Sequence, residues 1–594
     1  MRNAKIVATL GPASGDRATV RRLAEAGMSV ARLNASHGTH DGRADSIERV
    51  RAVDEGTDDS LAIMLDLQGP EVRTAETDAP VEIQPGSELR FVEGTTTTRA
   101  TIGLNHSIAA VSAGDTVLID DGRIETTVER VEGDTVVARV DSGGALGSRA
   151  GVTTRGVDLG LDLVSEADER SLRLAAERGV DLVAASFVRD GDDVYRIADT
   201  LDRFGATGTP VIAKIERAAA VEHIDEIVDA ADGVMIARGD LGVECPLEDV
   251  PIIQKRIIGR CVAAGIPVIT ATEMLDSMIR SRRPTRAEAS DVANAVFDGT
   301  DAVMLSGETA VGDYPIEAVE TMGAIVDRIE DSAEYAETRD ERVPAAEPGV
   351  RTDAVARSAR YLAANVDATA IVAVSESGYT ARKAAKFRPA VPVIAATPDD
   401  AVRRQLALSW GIDARYASYA TDVDDILETA VESAVSAGIA ESGDTIVVLA
   451  GMMSELSGTD VANTLKVHVV AETIATGRTV VSGQAAAPIA RTDDGDLAGV
   501  PDGSIVVLPA GFDGEFAGDA STVSGFIAGD TELTGYPAIV ARELGVPMVS
   551  AVSLPSSMED GSVVTVDGER GVVYRGDVTG GTRSDGRASS PSSR

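Results

Sequence analysis

Lysine is nearly missing from this chain. Six lysines (Lys5, Lys214, Lys255, Lys383, Lys386 and Lys466) stand among 55 basic residues in 594, leaving 49 arginines. A surviving lysine is therefore better evidence of local need than it would be in an ordinary protein. Cysteine is scarcer still: Cys245 and Cys261 are the only two. That excludes a disulfide framework and fits a reducing cytoplasm. No run of about 18 apolar residues occurs, so no membrane-spanning helix is expected. The first residues, MRNAKIVATLG, read as a buried strand, not a signal peptide. Basic charge is also short: 55 Lys and Arg face 96 Asp and Glu, for a net charge of -41. Nucleic-acid binding needs a basic footprint, and this chain has none.

The acid excess has its own implication. Like charges at this density repel and cost stability in dilute buffer, whereas concentrated salt screens them within a few Å. Acid excess with little lysine points to a cytosol of very high salt. The length suits three to five domains.

Eight apolar runs recur, each followed by a turn and usually a helical segment: 5–11, 30–36, 61–69, 181–188, 210–216, 233–240, 267–272 and 301–308. Eight strands alternating with helices predict a closed parallel (β/α)8 barrel of the α/β class, with its chemistry at the carboxyl ends of the strands. The stretch 210–242, PVIAKIERAAAVEHIDEIVDAADGVMIARGDLG, reads as strand, helix, strand. Lys214 and Glu216, two apart, share a strand face, and Asp240 is expected to end the second strand. A lysine and two carboxylates at adjacent strand ends suit a divalent cation beside an anionic substrate. Arg32 points toward the same barrel mouth.

The period breaks after the third run. Residues 70–150 show short alternating runs with Gly/Asp turns, predicting an all-β insert placed to act as a lid. The barrel is then 1–69 plus 151–337. An acidic linker leads to an open α/β sheet over 338–470, with Ser375, Ser377, Gly378 and Thr380 in a loop at a helix start, a ready phosphate cradle. A fourth, Gly-rich region spans 471–578 with one clear helix at 538–544, and 579–594 reads as a disordered tail.

Laid out in order, KIVATLGPAS, ARLNASHGTH, AKIER, ARGDLG, ATEMLDSMI, RPTRAEASDVANAVFDGTDAVMLSGETA and SGYTARKAAKFRP closely resemble the motifs of the pyruvate kinase family, over roughly residues 3–470. The resemblance implies phosphate transfer from phosphoenolpyruvate to ADP, giving pyruvate and ATP. It implies Mg²⁺ or Mn²⁺ on Glu216 and Asp240, with Lys214 stabilising the phosphoryl group and the enolate oxygen. Arg32 would bind the phosphate. The amides near Gly239, with Asp240 and Thr272, would bind substrate, the Thr272 side also placing the proton source. K⁺ would sit near Asn34, Ser36, Asp66 and Leu67, with Glu71 the version that goes with K⁺ dependence. Leu67 stands where Thr is usual and Gln68 where Lys is usual. Asn34, His37, Arg73 and Arg155 match nucleotide positions, and Ser375, Ser377, Gly378 and Thr380 the loop for a phosphorylated allosteric effector. The family is homotetrameric.

A metal-dependent lyase acting on an enolate is the rival from the same barrel class; the nucleotide positions argue against it. The fourth region resembles the swivelling phosphohistidine domain of phosphoenolpyruvate-utilising enzymes. Tyr536 stands where that domain has its histidine, which implies a structural or assembly role instead of phosphate carriage.

Overall fold

In the computed structural model, residues 2–579 are described apart from 58, 121, 419–422, 452–461, 531–532 and 556. Eight parallel strands close a barrel: β1 Lys5–Thr9, β2 Val30–Asn34, β3 Ala62–Asp66, β4 Leu182–Ala185, β5 Val211–Ile215, β6 Gly233–Ala237, β7 Val268–Ala271 and β8 Ala302–Leu305. Each pairs with its chain neighbours, and β8 pairs with β1, so no edge remains. Strands buried on both faces read as unbroken apolar runs, which is why all eight stand out in the sequence.

Alternation splits each strand between two cores. Val30, Met64, Ile212 and Met235 fill the barrel interior, while Ala31, Leu65, Ala213 and Ile236 face the helices outside. The interior is packed solid, as in barrels of this size. Below it, Ala407 and Leu408 join the interior cluster.

The helices carry their own start signals. Ser165 opens the helix Glu166–Arg178 and Thr285 opens Arg286–Asp298, each with a reciprocal capping box. The helix expected between β5 and β6 is instead two short ones, Ala218–Glu222 and Ile224–Ala230, broken at His223. Asp240 also departs from expectation. β6 stops at Ala237, and Asp240 lies in the first turn of the helix Arg238–Glu244. The apolar run ends there in Arg-Gly-Asp, and the chain turns helical sooner than an apolar count can tell.

The insert is all β, with a seven-stranded sheet around its own core of Leu89, Phe91, Ile102 and Val117. Its exit strand, Gly151–Thr154, runs past residue 150 because it pairs with the entry strand Val72–Arg73. Gly69, at the entry, has φ +71, and a Cβ there would meet the Phe187 ring at 2.5 Å. Only glycine fits that hinge.

Beyond the barrel, the parallel strands Ala370–Val374, Val393–Thr397 and Ile412–Tyr416 form part of an open α/β sheet. Arginines tie this region to the barrel. Arg403 donates to Asp54 at 2.8 Å, Arg404 to Asp181 at 2.9 Å and Arg388 to Asp301 at 3.1 Å.

The chain clusters into two compact units, residues 1–361 with 371–430 and 449–465, and residues 362–370 with 431–448 and 466–594. The second unit holds an eight-stranded sheet whose parallel centre is Gln484–Arg491, Ile505–Leu508, Gly525–Ala528 and Met548–Ser550. Its helix runs Tyr536–Leu544, two residues longer at its start than expected. Tyr536 is part-exposed there, its ring 5.6 Å from that of Phe516. No described helix is long and apolar enough to cross a membrane. The expected tail lies almost wholly outside the described residues.

Candidate active site

Strand parity assembles the site. Val30 on β2, Met64 on β3, Leu182 and Ala184 on β4 and Ile212 on β5 face the barrel interior. Counting on by twos, Arg32, Asn34, Asp66, Ser186, Lys214 and Glu216 share that inward face at the carboxyl ends. Glu216 follows β5 by one residue.

These side chains meet. Lys214 Nζ lies 2.7 Å from Glu216 Oε1 and 3.2 Å from Asp66 Oδ1, and donates to Ser186 Oγ at 2.7 Å. Arg32 grips Asp66 through Nε at 2.7 Å and Nη2 at 2.5 Å, and donates through Nη1 to Thr9 Oγ1 at 2.9 Å. All four charged groups are buried. Burial works against the Lys214 charge, but Asp66 and Glu216, with a smaller contribution from Asp240, outweigh it and hold the ammonium above the ordinary lysine range. Burial would likewise raise Asp66, but Lys214 and Arg32 keep its carboxyl below the usual range. The result is a fixed, desolvated pair of cations facing the mouth, the arrangement that stabilises an oxyanion without reorganisation.

Glu216 uses Oε2 to accept the Phe187 N–H at 2.7 Å. Glu71, at the lid entry, is raised by burial, only partly offset by Arg73, and the Glu216 charge adds to the rise. The carboxylates of Glu216, Asp240 and Glu71 thus act on one region. Among the described residues, no group of three or more His, Cys, Asp or Glu is spaced to hold a metal by itself. A pair such as Glu216 and Asp240 nevertheless fits Mg²⁺, which keeps several waters and takes one or two carboxylates plus substrate oxygens.

Thr272 follows β7 at φ +69, and Glu273 has φ +52. For a β-branched residue this backbone is strained. The Thr272 hydroxyl donates to Ala271 O at 2.8 Å and accepts the Gly239 N–H at 2.8 Å. The Gly239 amide expected to meet substrate therefore meets Thr272 here.

The other expected residues divide. Burial lowers the His37 pKa, and the charges of Arg73 and Arg32 lower it further, so these three lie within electrostatic reach of one another. Asn34 Oδ1 accepts the Ser36 N–H at 3.0 Å. Arg73 is bound to Glu71 at 2.6 Å. Arg155 instead turns to the helix Arg238–Glu244, donating to Val243 O at 3.0 Å, which seats the lid's exit linker there. Leu67 keeps its carbonyl in place, accepting from Ser186 Oγ at 2.8 Å, so replacing a side chain leaves that oxygen intact. In the α/β region, Gly378 has φ +72 and opens the helix Tyr379–Lys386. Ser377 Oγ accepts the Tyr379 N–H at 3.3 Å, and Ser375 and Thr380 are buried beside it. Residues 452–461, expected from the sequence to lie near this loop, are outside the described residues.

Comparison with known proteins decides the family. The pyruvate kinase barrel domain matches residues 1–319, the pyruvate kinase alpha/beta domain 353–468, and the mobile domain of PEP-utilising enzymes 500–571. The pyruvate kinase of Geobacillus stearothermophilus is 41% identical over 97% of this chain and 99% of its own length. The chain belongs to the pyruvate kinase family. It is a phosphotransferase. The pyruvate kinase of Bacillus licheniformis is 40% identical over the same shares, and that of Clostridium acetobutylicum 42% identical over 79% of this chain and all of its own length. The third relative thus lacks a counterpart to about a fifth of this chain, whereas the first two match nearly all of it.

Within this pyruvate kinase fold, the sequence reading missed two supports. Ser186 ends a strand run like several other polar residues, and only parity plus the lysine two strands away could have singled it out. Arg238 lies inside the ARGDLG motif but is one arginine among 49, and its local pattern did not mark it as a support.

Proposed function

We propose that the chain transfers phosphate from phosphoenolpyruvate to ADP, giving pyruvate and ATP, the last step of glycolysis. The observation that carries this reading is Lys214, buried yet charged, fixed between Ser186, Asp66 and Glu216 at the barrel mouth. Phosphoryl transfer is mostly positioning and charge neutralisation, and this cluster supplies both. Arg32 binds the transferring phosphate with its planar fork. Lys214 balances charge on the phosphoryl group and then on the enolate oxygen. The Gly239 amide, Asp240 and Thr272 hold the substrate carboxylate, and the Thr272 side places the proton that converts the enolate to pyruvate. Asn34, His37, Arg73 and Arg155 receive the nucleotide, and the lid excludes water.

Glu216 and Asp240 would hold Mg²⁺ or Mn²⁺, which supplies charge neutralisation on the phosphate oxygens. Asn34, Ser36, Asp66 and the Leu67 carbonyl would hold K⁺. Ser375, Ser377, Gly378 and Thr380 would take a phosphorylated effector in a cytoplasmic homotetramer. The acidic surface suits molar salt. The last domain carries Tyr536 and serves structure or assembly.

The test is a coupled assay in several molar KCl with Mg²⁺. Pyruvate and ATP should form with ADP present, and Lys214→Met should lose at least about a thousandfold in kcat. Absence of ADP-dependent pyruvate from wild type, or equal rates in the two proteins, overturns the proposal.

A further inference from the structure

Thr272 and Glu273 are consecutive non-glycine residues in the left-handed region, and such a turn persists only where its surroundings over-determine it. Two groups do so here, the half-buried Arg238 and the buried Glu308. Arg238 donates through Nε to Ala271 O at 3.1 Å and through Nη2 to Thr272 O at 3.1 Å. The same guanidinium is seated by Asp291 through two bonds of 2.6 Å, with Gln254 Oε1 at 3.4 Å. Glu308, almost wholly buried, accepts the Leu275 N–H at 3.0 Å and the Ser306 N–H at 2.7 Å. Arg238 thus holds the carbonyls of Ala271 and Thr272, and Glu308 holds the segment that follows through the Leu275 amide. Its outcome is the orientation of one hydroxyl, since Thr272 Oγ1 is directed back at Gly239 N and Ala271 O.

We infer that Arg238, seated by Asp291, is a positioning residue for enolate protonation, holding the strained Thr272 turn and so fixing where the Thr272 hydroxyl and its Gly239 partner stand at the barrel mouth. This rests on the role proposed above for Thr272. In that step the enolate C=C pair forms a new C–H bond at the methylene carbon with a solvent proton passed on the Thr272 side, and the enolate oxygen becomes the ketone. Neither Arg238 nor Asp291 touches the reacting atoms. A lysine cannot replace the fork, because two carbonyls and a carboxylate need a planar, multiply donating group.

The experiment compares wild type, Asp291→Asn, Arg238→Lys, Thr272→Ala and the double variant Asp291→Asn/Thr272→Ser. Readouts are thermal midpoint, KM for phosphoenolpyruvate, kcat, the solvent deuterium isotope effect on kcat, and exchange of pyruvate methyl protons with deuterated water. Asp291 is a third exposed, so its variant tests the idea even if Arg238→Lys fails to fold. Asp291→Asn should lower kcat at least tenfold with KM changed less than threefold, enlarge the isotope effect and slow methyl exchange in proportion. Serine carries the hydroxyl with less backbone penalty in this region, so the double variant should recover several-fold of the lost rate. A kcat within threefold of wild type overturns the inference. So does a loss of kcat with isotope effect and exchange unchanged. If Thr272→Ala also leaves both unchanged, the Thr272 role fails and the positioning role falls with it; wild type inactive with phosphoenolpyruvate and ADP would instead refute the activity itself.

Discussion

Asp66→Asn is the sharpest test of how the cluster is built. The side chain is 1% exposed and faces two cations, Arg32 at 2.5 Å and Lys214 at 3.2 Å. Taking one partner from a buried ion pair costs about 3–5 kcal/mol, because the remaining charge is left uncompensated. Here Lys214 keeps Glu216 and Arg32 keeps the Thr9 hydroxyl, so we take the low end, about 3 kcal/mol. At roughly 2–4 °C per kcal/mol for a domain of this size, the barrel midpoint should fall by roughly 6–12 °C. Asparagine is nearly isosteric, so the loss is electrostatic rather than steric. The Asp66 carboxyl is held below its ordinary value. Its contribution is therefore present above the unfolded pKa and lost as pH falls through the folded one. The gap between variant and wild type should be constant from pH 6 to 8 and close in acid. Activity should fall at least about a hundredfold, since Arg32 loses the group that aims it. Adding Arg32→Met to Asp66→Asn removes the stranded charge and should restore part of the stability with none of the activity. Calorimetry and initial rates in the same salt measure both. A midpoint within 2 °C of wild type, or a kcat/KM within threefold, would refute the reasoning.

Lys5 offers the opposite sign. It is buried and donates to Ile412 O at 2.7 Å, and burial pushes its pKa down to about 8 despite Asp413, Glu330 and Asp59 nearby. A folded pKa below the unfolded 10.5 means a stability deficit that is full below pH 8 and regained as pH rises toward 10.5. The shift is worth about 3 kcal/mol. Lys5→Met removes that deficit but strands the Ile412 carbonyl at about 1 kcal/mol, so it should be stabilising by about 2 kcal/mol at pH 7. Denaturant midpoints from pH 7.5 to 10 should rise more steeply for wild type than for the variant; parallel slopes would sink the argument. The potassium reading is checked by rates at fixed ionic strength, which should be much higher in KCl than in NaCl. Equal rates in the two salts would remove the Asn34, Ser36, Asp66 and Leu67 site.

How much of this was legible in the sequence depends on whether a residue's role is carried by local pattern. The eight barrel strands were legible because each is buried on both faces and so is an unbroken apolar run. Their ends were less so: Asp240 stood at the end of such a run, yet the helix starts at Arg238, with no capping side chain to announce it. The cluster of Arg32, Asp66, Lys214 and Glu216 was half legible, since parity places each side chain inward but cannot say which strands are neighbours. Closure of the barrel settles that, setting β2 beside β3 and β5 beside β4. The Arg238–Asp291 clamp was invisible for another reason. Its members are 53 residues apart, and the positive φ of Thr272 that it secures leaves no compositional trace, because threonine is not a residue one expects there.

The lysine count carried more structural information than the sequence reading drew from it. Scarcity pointed to Lys214 as a lysine that had to stay. In the folded chain Lys5, Lys214, Lys383 and Lys386 are all buried, while Lys255 and Lys466 are exposed. Each buried one has a fixed partner: Ile412 O for Lys5, Asp66 and Glu216 for Lys214, and Asp353 for both Lys383 and Lys386. Lys383 also donates to the carbonyl of Ala264, the last residue of the barrel helix Val250–Ala264. A guanidinium is wider than an ammonium and presents five donors that all need acceptors when buried, whereas an ammonium needs three and fits at the end of a narrow stem. Whatever drove lysine from the surface in favour of arginine, that exchange stops where a compact point charge is enclosed. Scarcity therefore marks enclosure, and only Lys214 among the four also opens on the barrel mouth. Burial alone would not have separated it from Lys5; the Glu216 and Asp66 carboxylates at 2.7 and 3.2 Å do, holding its ammonium above the ordinary lysine range while burial pulls Lys5 below it.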